Sequence, residues 1–371
     1  MLPVSELVEV ARGQVTDAEL RARSPLRFSG AGQHAPVVIW NVCMHCNMTC
    51  PHCYAAAVAE PSPTDLTHEE GLRLLDDLAS CGVRVVIFSG GEPLLRKDLL
   101  DLIRHARSLG IAPQLSTNGV LIDREVAAEL AEAGVAYVGI SIDGLPDFND
   151  GYRGLEGGYE AALRGLQNAK RVGMKTGLRM TLTRRNVDQL SAMVEVAQSV
   201  DVDRFYVSHL VYSGRGFKVA HEDLSRAQVR KALLLLFELA EELAAGGLLP
   251  KIVTGSNDSD GVFLRGGNSA GERILDIDSR GRVHPDQFWR GAVLGDVRKE
   301  SFAKILEHPL REQLSRRLEL LTGRCGSCTQ RALCRGSHRE RALARYRDPW
   351  ASDPACVMED SEIGISEGAQ L

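Results

Sequence analysis

From residue 36 to about residue 246, short β-branched apolar runs alternate with amphipathic stretches, the pattern of repeated βα units around a parallel sheet. It predicts six strands, at 36–42, 83–88, 112–116, 136–142, 175–183 and 203–210, each ending just before a polar or glycine-rich loop. The first helix can be read residue by residue. Thr67 and Glu70 form a capping box, Leu74, Leu75 and Leu78 make one apolar stripe, and Gly82 follows its end. Cys81 extends that stripe and reads as a small buried hydrophobe. Six units fall two short of an eightfold barrel, so the expected fold class is α/β, a partial (β/α)6 TIM-like barrel open enough to admit a large substrate. In such barrels the working residues sit on loops after the carboxyl ends of the strands. A helix over 225–245 closes the barrel, Gly246 and Gly247 break it, and 255–271 reads as a glycine-rich linker, with a second, smaller domain beginning near residue 272. The chain thus divides into an N-terminal extension (1–35), a barrel (36–250) and a C-terminal domain (251–371).

Composition narrows the class. With 371 residues the chain exceeds one average domain, and its 44% hydrophobic and 25% charged residues are ordinary for a soluble protein. The longest dense apolar stretch, 232–237, is far too short for a bilayer. The opening MLPVSELVEVARGQ lacks a basic region followed by an apolar core, so no secretory signal and a cytoplasmic location are expected. In that compartment nine cysteines mean metal or catalysis instead of disulfides. A net charge of −5 with scattered arginines gives no footprint for nucleic acid.

Two cysteine sets carry the chemistry. The first is Cys46-x3-Cys50-x2-Cys53, followed at once by Tyr54, on the loop after the first strand. Thiolates select soft metals and iron–sulfur clusters, and a cluster normally takes four cysteines. Three leave one iron of a 4Fe-4S cube free for another ligand, for which S-adenosylmethionine is the expected occupant. Counting Cys43 gives a four-thiolate alternative of the structural zinc kind, although three residues between two CxxC knuckles leave little chain to wrap a tetrahedral ion. The second set, Cys325-x2-Cys328-x5-Cys334 with Cys356 further on, can close a fully ligated cluster or a zinc site.

The first set with Tyr54, and Ser89-Gly90-Gly91-Glu92-Pro93 after the second strand, resemble the signatures of the radical SAM superfamily. The resemblance implies that Gly90, Gly91 and Glu92 hold the methionine amino group of S-adenosylmethionine. It places Ser141 near the cofactor carboxylate, Thr117, Asn118 and Asp143 near the sugar, and Arg179 as a partner for the carboxylate. Val207, Leu210 and Val211 would line the adenine. Turn capping by Asn118 and Asp143 is the plain alternative, as are a surface role for Arg179 and a half-buried strand for the valines. In this superfamily the cluster reduces the sulfonium and a 5′-deoxyadenosyl radical abstracts a substrate hydrogen, so an unidentified one-electron donor is implied. The second cysteine set resembles the shortened auxiliary-cluster (SPASM/twitch-type) domain of the superfamily, which implies a second 4Fe-4S cluster. The longer SPASM form supplies another cysteine after the proline of the hairpin at 277–286; this chain has Asp286 there, which argues for one auxiliary cluster and not two.

The stretches VVIWNVCMHCNMTCPHCYAAA, RFYVSHLVYSGRG and CRGSHRERALARYRDPWASDPAC resemble the heme d1 biosynthesis branch of the superfamily, the NirJ type. That likeness implies a tetrapyrrole substrate, 12,18-didecarboxysiroheme, whose propionate side chains are removed or oxidatively trimmed. Arg153, Arg184, Arg185, Arg215 and Lys218 fall on predicted mouth loops where cations suit its carboxylates, although each singly reads as a solvated charge. His209 ends the sixth strand and is the candidate for the substrate iron or for proton donation; a structural histidine is the plainer reading there and at His45, His52 and His284. The alternatives are an alternative-heme enzyme trimming other side chains, a peptide-modifying maturase, and, from another class, a non-catalytic iron–sulfur or zinc protein.

Overall fold

The computed structural model describes residues 2–16, 18–19, 35–255 and 267–365. A short strand β1 (Leu2–Pro3) and helix α1 (Val4–Ala11) precede the barrel. Then follow β2 (Val37–Asn41), α2 (His68–Ser80), β3 (Val85–Ser89), α3 (Leu99–Ser108), β4 (Ala112–Thr117), α4 (Arg124–Glu132) and β5 (Tyr137–Ser141). Two helices, α5 (Pro146–Arg153) and α6 (Gly158–Arg171), separate β5 from β6 (Lys175–Leu182). The barrel ends with α7 (Leu190–Ser199), β7 (Arg204–His209), α8 (Arg226–Gly246) and β8 (Lys251–Thr254). All six predicted strands are present to within two residues at either end. The capping box of α2 forms as read, with the Glu70 amide donating to Thr67 Oγ1 and the Thr67 amide to Glu70 Oε2.

The strands sort their side chains by parity. On β6, Leu178, Met180 and Leu182 are buried in the helix-packed core, while Arg179 and Thr181 are half-buried on the other, inner face. The same alternation sets Val138 and Ile140 against Gly139 and Ser141, and Phe205 and Val207 against Tyr206 and Ser208. The helix-facing layer is therefore apolar and the inner face polar, as a barrel that receives a polar ligand requires.

The barrel is not closed. One 11-stranded sheet runs β1-β8-β7-β6-β5-β4-β3-β2 and continues into β9 (Ile274–Ile277), β10 (Arg282–His284) and β11 (Gly295–Asp296). Two features depart from the six-unit expectation. Strand β8 pairs parallel to β7 and adds a seventh parallel strand; its four residues are too few to show a period. Strand β9 pairs parallel to β2 and leads into an antiparallel hairpin, so the C-terminal region grows from the edge of the barrel sheet. The centre of the expected linker, 256–266, and residues 1, 17 and 20–34 of the N-terminal extension lie outside the described residues. Beyond β11, among the described residues, come six short α-helices: α9 (Phe302–Ile305), α10 (Pro309–Ser315), α11 (Arg317–Leu320), α12 (Gly323–Ser327), α13 (Arg331–Cys334) and α14 (Arg339–Tyr346). Among the described residues no helix is long and apolar enough to cross a membrane.

Candidate functional site

The first cysteine set sits at the carboxyl end of β2, on a loop stitched down by backbone hydrogen bonds. The Cys46 amide donates to the Val58 carbonyl at 2.8 Å and the Val58 amide to Met44 at 2.9 Å. From β3, the Gly91 amide reaches the Cys43 carbonyl and the Glu92 amide the His45 carbonyl, both at 2.8 Å. This is why glycines occupy 90 and 91. A Cβ on Gly90 would lie 2.5 Å from the Cys43 oxygen, and one on Gly91 2.1 Å from the His45 oxygen. The close approach these glycines permit is to the cysteine loop itself.

Cys46, Cys50 and Cys53 share one electrostatic environment, each felt by the others and by Arg153. Burial pushes the Cys46 thiol up to about 11 and raises Cys50, which the Arg153 charge pulls back. Cys43 stands apart. It is packed in the core, its thiol donates to the Glu92 carbonyl at 3.3 Å, and the charges around it are Glu92, Asp65 and Arg96. The four-thiolate zinc alternative for this loop therefore fails on geometry, because the fourth sulfur is turned into the core. Among the described residues no three His, Cys, Asp or Glu side chains converge as a single-ion site would require, whereas a cluster spreads its thiolates over several irons. Three thiols with a buried cation fit a 4Fe-4S cluster.

Glu92 is fully buried, and its carboxylate is fixed on both oxygens. Oε1 accepts from Thr117 Oγ1 at 2.7 Å and the Leu94 amide at 3.1 Å, and Oε2 from the Asn118 amide at 2.8 Å. Burial raises its pKa against these donors. Asn118 Nδ2 donates to Asn47 Oδ1 at 2.7 Å, which carries the network back to the cysteine loop. Tyr54, buried enough that its hydroxyl is pushed up to about 12, donates to Asn41 Oδ1 at 3.1 Å, lies 3.3 Å from Ser89 Oγ and meets Phe288 edge-on. It ties the loop to β2, β3 and the C-terminal hairpin at once.

Several residues singled out in the sequence prove to have other partners. Asp143 is buried and takes the Thr181 amide on Oδ1 at 2.8 Å, while its Oδ2 lies 3.1 Å from His52 Nε2 and 3.5 Å from Arg153 Nε. Burial alone would raise its carboxyl, but His52 and Arg153 hold it well below the usual range. Arg153 donates to the Ser141 carbonyl at 3.0 Å, so it is an internal cation beside the thiols and not a mouth residue. Arg215 donates to the carbonyls of Cys50, at 2.8 Å, and Ala57, again bracing the loop. Arg184 donates to the Asp223 carbonyl. Arg185 lies over Tyr152 and Phe148 beside Glu222 with an exposed guanidinium, and Lys218 is exposed. Arg179 lies on the inner face, donating to Ser116 Oγ at 2.6 Å across β5, where Gly139 leaves room for it. Val207 shares the helix-facing parity of Phe205 and packs in the core, so it does not line the inner face; Leu210 and Val211 are buried on the loop beyond it. His209 also ends β7 on the helix-facing parity and is buried. His52 has the structural role that is its plainer reading, whereas the bracing by Arg215 and Asn47 is not written in the sequence, although their places inside or beside signature loops are the available signal.

In the C-terminal region Cys325, Cys328 and Cys334 each lie within electrostatic reach of Cys356. Asp286 Oδ1 accepts from the Phe288 and Trp289 amides at 2.9 and 2.8 Å and closes a turn, a carboxylate cap where the longer domain form has a thiolate.

Comparison with known proteins places these features. A family model described as the radical SAM superfamily matches residues 40–197. Pre-heme d1 synthase of Dinoroseobacter shibae is 42% identical over 90% of this chain and 89% of its own length. Fe-coproporphyrin III synthase of Methanosarcina barkeri is 41% identical over 90% of each chain. Among solved structures, SuiB of Streptococcus suis bound to S-adenosylmethionine superposes with a TM-score of 0.71 at 17% identity, covering 95% of this chain and 87% of that one; at that identity the likeness is one of fold.

Proposed function

The chain belongs to the radical SAM superfamily, an enzyme family that uses S-adenosylmethionine and a 4Fe-4S cluster, and from that premise we propose that it acts in heme d1 biosynthesis, removing or oxidatively trimming propionate side chains of 12,18-didecarboxysiroheme. The observation that carries the enzymatic half of this reading is the joining of Cys46, Cys50 and Cys53 to Glu92, Thr117 and Asn118 in one buried network. The tetrapyrrole half rests on the similarity to pre-heme d1 synthase and Fe-coproporphyrin III synthase. When bound, the reduced cluster supplies the electron that splits S-adenosylmethionine into methionine and a 5′-deoxyadenosyl radical, which takes a hydrogen from the substrate.

The protein's own residues position and neutralise. Glu92 receives the methionine ammonium with a carboxylate already oriented by three donors. Ser141 and Arg179, neighbours in register on β5 and β6, face the cofactor carboxylate from the inner wall. Arg153, held by Asp143 and the Ser141 carbonyl, offsets the negative charge of the thiolates. Arg185 and Lys218 present charge for the substrate's carboxylates, and Leu210 and Val211 face the adenine. Cys325, Cys328, Cys334 and Cys356 would hold a second 4Fe-4S cluster, and an external one-electron donor would complete the system.

Anaerobic turnover of 12,18-didecarboxysiroheme with S-adenosylmethionine and a reductant tests this. The expected product has lost mass from its propionates, with 5′-deoxyadenosine formed alongside. The near-equal identity to the Fe-coproporphyrin III synthase favours one rival; Fe-coproporphyrin III as the product would replace the heme d1 reading with that one.

A further inference from the structure

The C-terminal cysteines are surrounded by nitrogen donors. Arg324 Nη1 lies 3.0 Å from Cys356 Sγ, the Gln330 amide 3.3 Å from Cys328 Sγ, and the Asp353 amide 3.4 Å from Cys325 Sγ. Behind them is Arg339, 1% exposed. Its Nη1 donates to the carbonyls of Pro349 and Ala351, at 2.9 and 2.7 Å, but its Nε and Nη2 have no hydrogen-bond partner. Buried guanidinium nitrogens without acceptors are unfavourable unless negative charge lies near them, and the charge of Arg339 acts on Cys325 and Cys334. Room for it comes from Gly336, at φ +82, where a Cβ would sit 3.1 Å from Arg339 Cζ. Asp353 shares this environment and offsets only part of the Arg339 charge. Its carboxylate is bound on both oxygens by Arg341, at 3.2 and 3.0 Å.

We propose that Arg324 and Arg339 are positioning residues of the second cysteine site, whose charge and N–H donors raise the reduction potential of the cluster held there relative to the barrel cluster. Both stabilise the more negative, reduced state of a thiolate-ligated cluster: Arg324, whose Nε is paired with Asp360 at 2.6 Å, by hydrogen bonding to the Cys356 sulfur, and Arg339 by charge in a buried setting. The proposal rests on the reading that this site holds a 4Fe-4S cluster, and the test separates the two.

The full-length protein is reconstituted anaerobically as wild type, Arg324→Gln, Arg339→Met and Arg339→Lys, its iron and zinc are counted, and each couple is followed by EPR-monitored redox titration. Wild type is expected to hold about eight irons per chain, about four per cluster. Arg324→Gln and Arg339→Met should each keep that iron while the second couple moves to lower potential by about tenfold in its redox equilibrium, ~59 mV for one electron. Arg339→Lys should recover part of that shift, and the barrel couple should not move. An unchanged second couple in variants that keep their iron overturns the proposal and leaves the two-cluster reading standing. About four irons with zinc in wild type overturns both. If Arg339→Met loses its second cluster, Arg324→Gln decides, and an unshifted couple there refutes the proposal.

Discussion

The barrel cysteine loop is held by its backbone, whereas the C-terminal cysteines are contacted at their sulfurs. At the first site the amides of Gly91 and Glu92 and the guanidinium of Arg215 all take loop carbonyls. Of the thiols there, Cys46 takes the Met48 amide, while Asn118 Nδ2 stays 4.0 Å from Cys46 and the Arg153 carbonyl 3.9 Å from Cys50. At the second site three donors approach sulfur at 3.0 to 3.4 Å. A cluster that must accept an incoming ligand needs its loop placed without crowding its sulfurs. A cluster closed by four thiolates, as proposed for the second site, would tolerate donors on every side, and those donors would tune it.

The largest effect is expected from breaking the two sites in turn. Cys50→Ala should abolish formation of 5′-deoxyadenosine from S-adenosylmethionine, and Cys328→Ala should keep it, as read by chromatography after anaerobic reduction. Cleavage surviving in Cys50→Ala would erase the distinction between the sites. Arg153→Met should come next. It leaves Asp143 buried with only His52 as an ionisable partner, so chemical denaturation should show a loss of about 3–5 kcal/mol, with less iron retained at the barrel site and no loss at the other. Adding Asp143→Asn should restore part of the stability; no recovery would mean that Arg153 acts through packing alone.

Glu92→Gln keeps the shape of the side chain and removes its charge. Binding of S-adenosylmethionine, measured by calorimetry on the reconstituted protein, should weaken by about 2 kcal/mol, roughly 30-fold. An unchanged affinity would reduce Glu92 to a brace for Thr117 and Asn118. The smallest effect is a pH slope confined to the second region. Burial would raise the Asp353 carboxyl, but Arg341 and Arg339 hold it down to about 2, below the roughly 3.9 of an unfolded chain. The unfolded state then binds more protons in this window, so the stabilisation is complete above about pH 4 and is lost as pH falls toward about 2. Thermal melts across that range should show the slope in wild type and lose it in Asp353→Asn.

The barrel was legible in the sequence because its signals are local: strand parity, the capping box at Thr67 and Glu70, and the spacing of Cys46, Cys50 and Cys53 are each set within a few residues. What escaped depends on residues far apart in the chain. Arg215 reads as a mouth cation until its guanidinium is seen on the Cys50 and Ala57 carbonyls, and Arg153 likewise until Asp143 is beside it. Val207 was placed at the adenine because an apolar residue suits either face of a strand, and only its register neighbours fix which face it takes. Strand β8 is not legible because four residues show no period, nor is the junction of β9 with β2, because pairing partners are not written locally.

The account turns on an open iron at the barrel site, and the EPR spectrum of reduced, reconstituted Cys328→Ala protein before and after S-adenosylmethionine is added tests it most directly, since only that cluster should remain. A changed spectrum accompanied by 5′-deoxyadenosine is the predicted result. An intact cluster whose spectrum does not respond, with no cleavage, would contradict it.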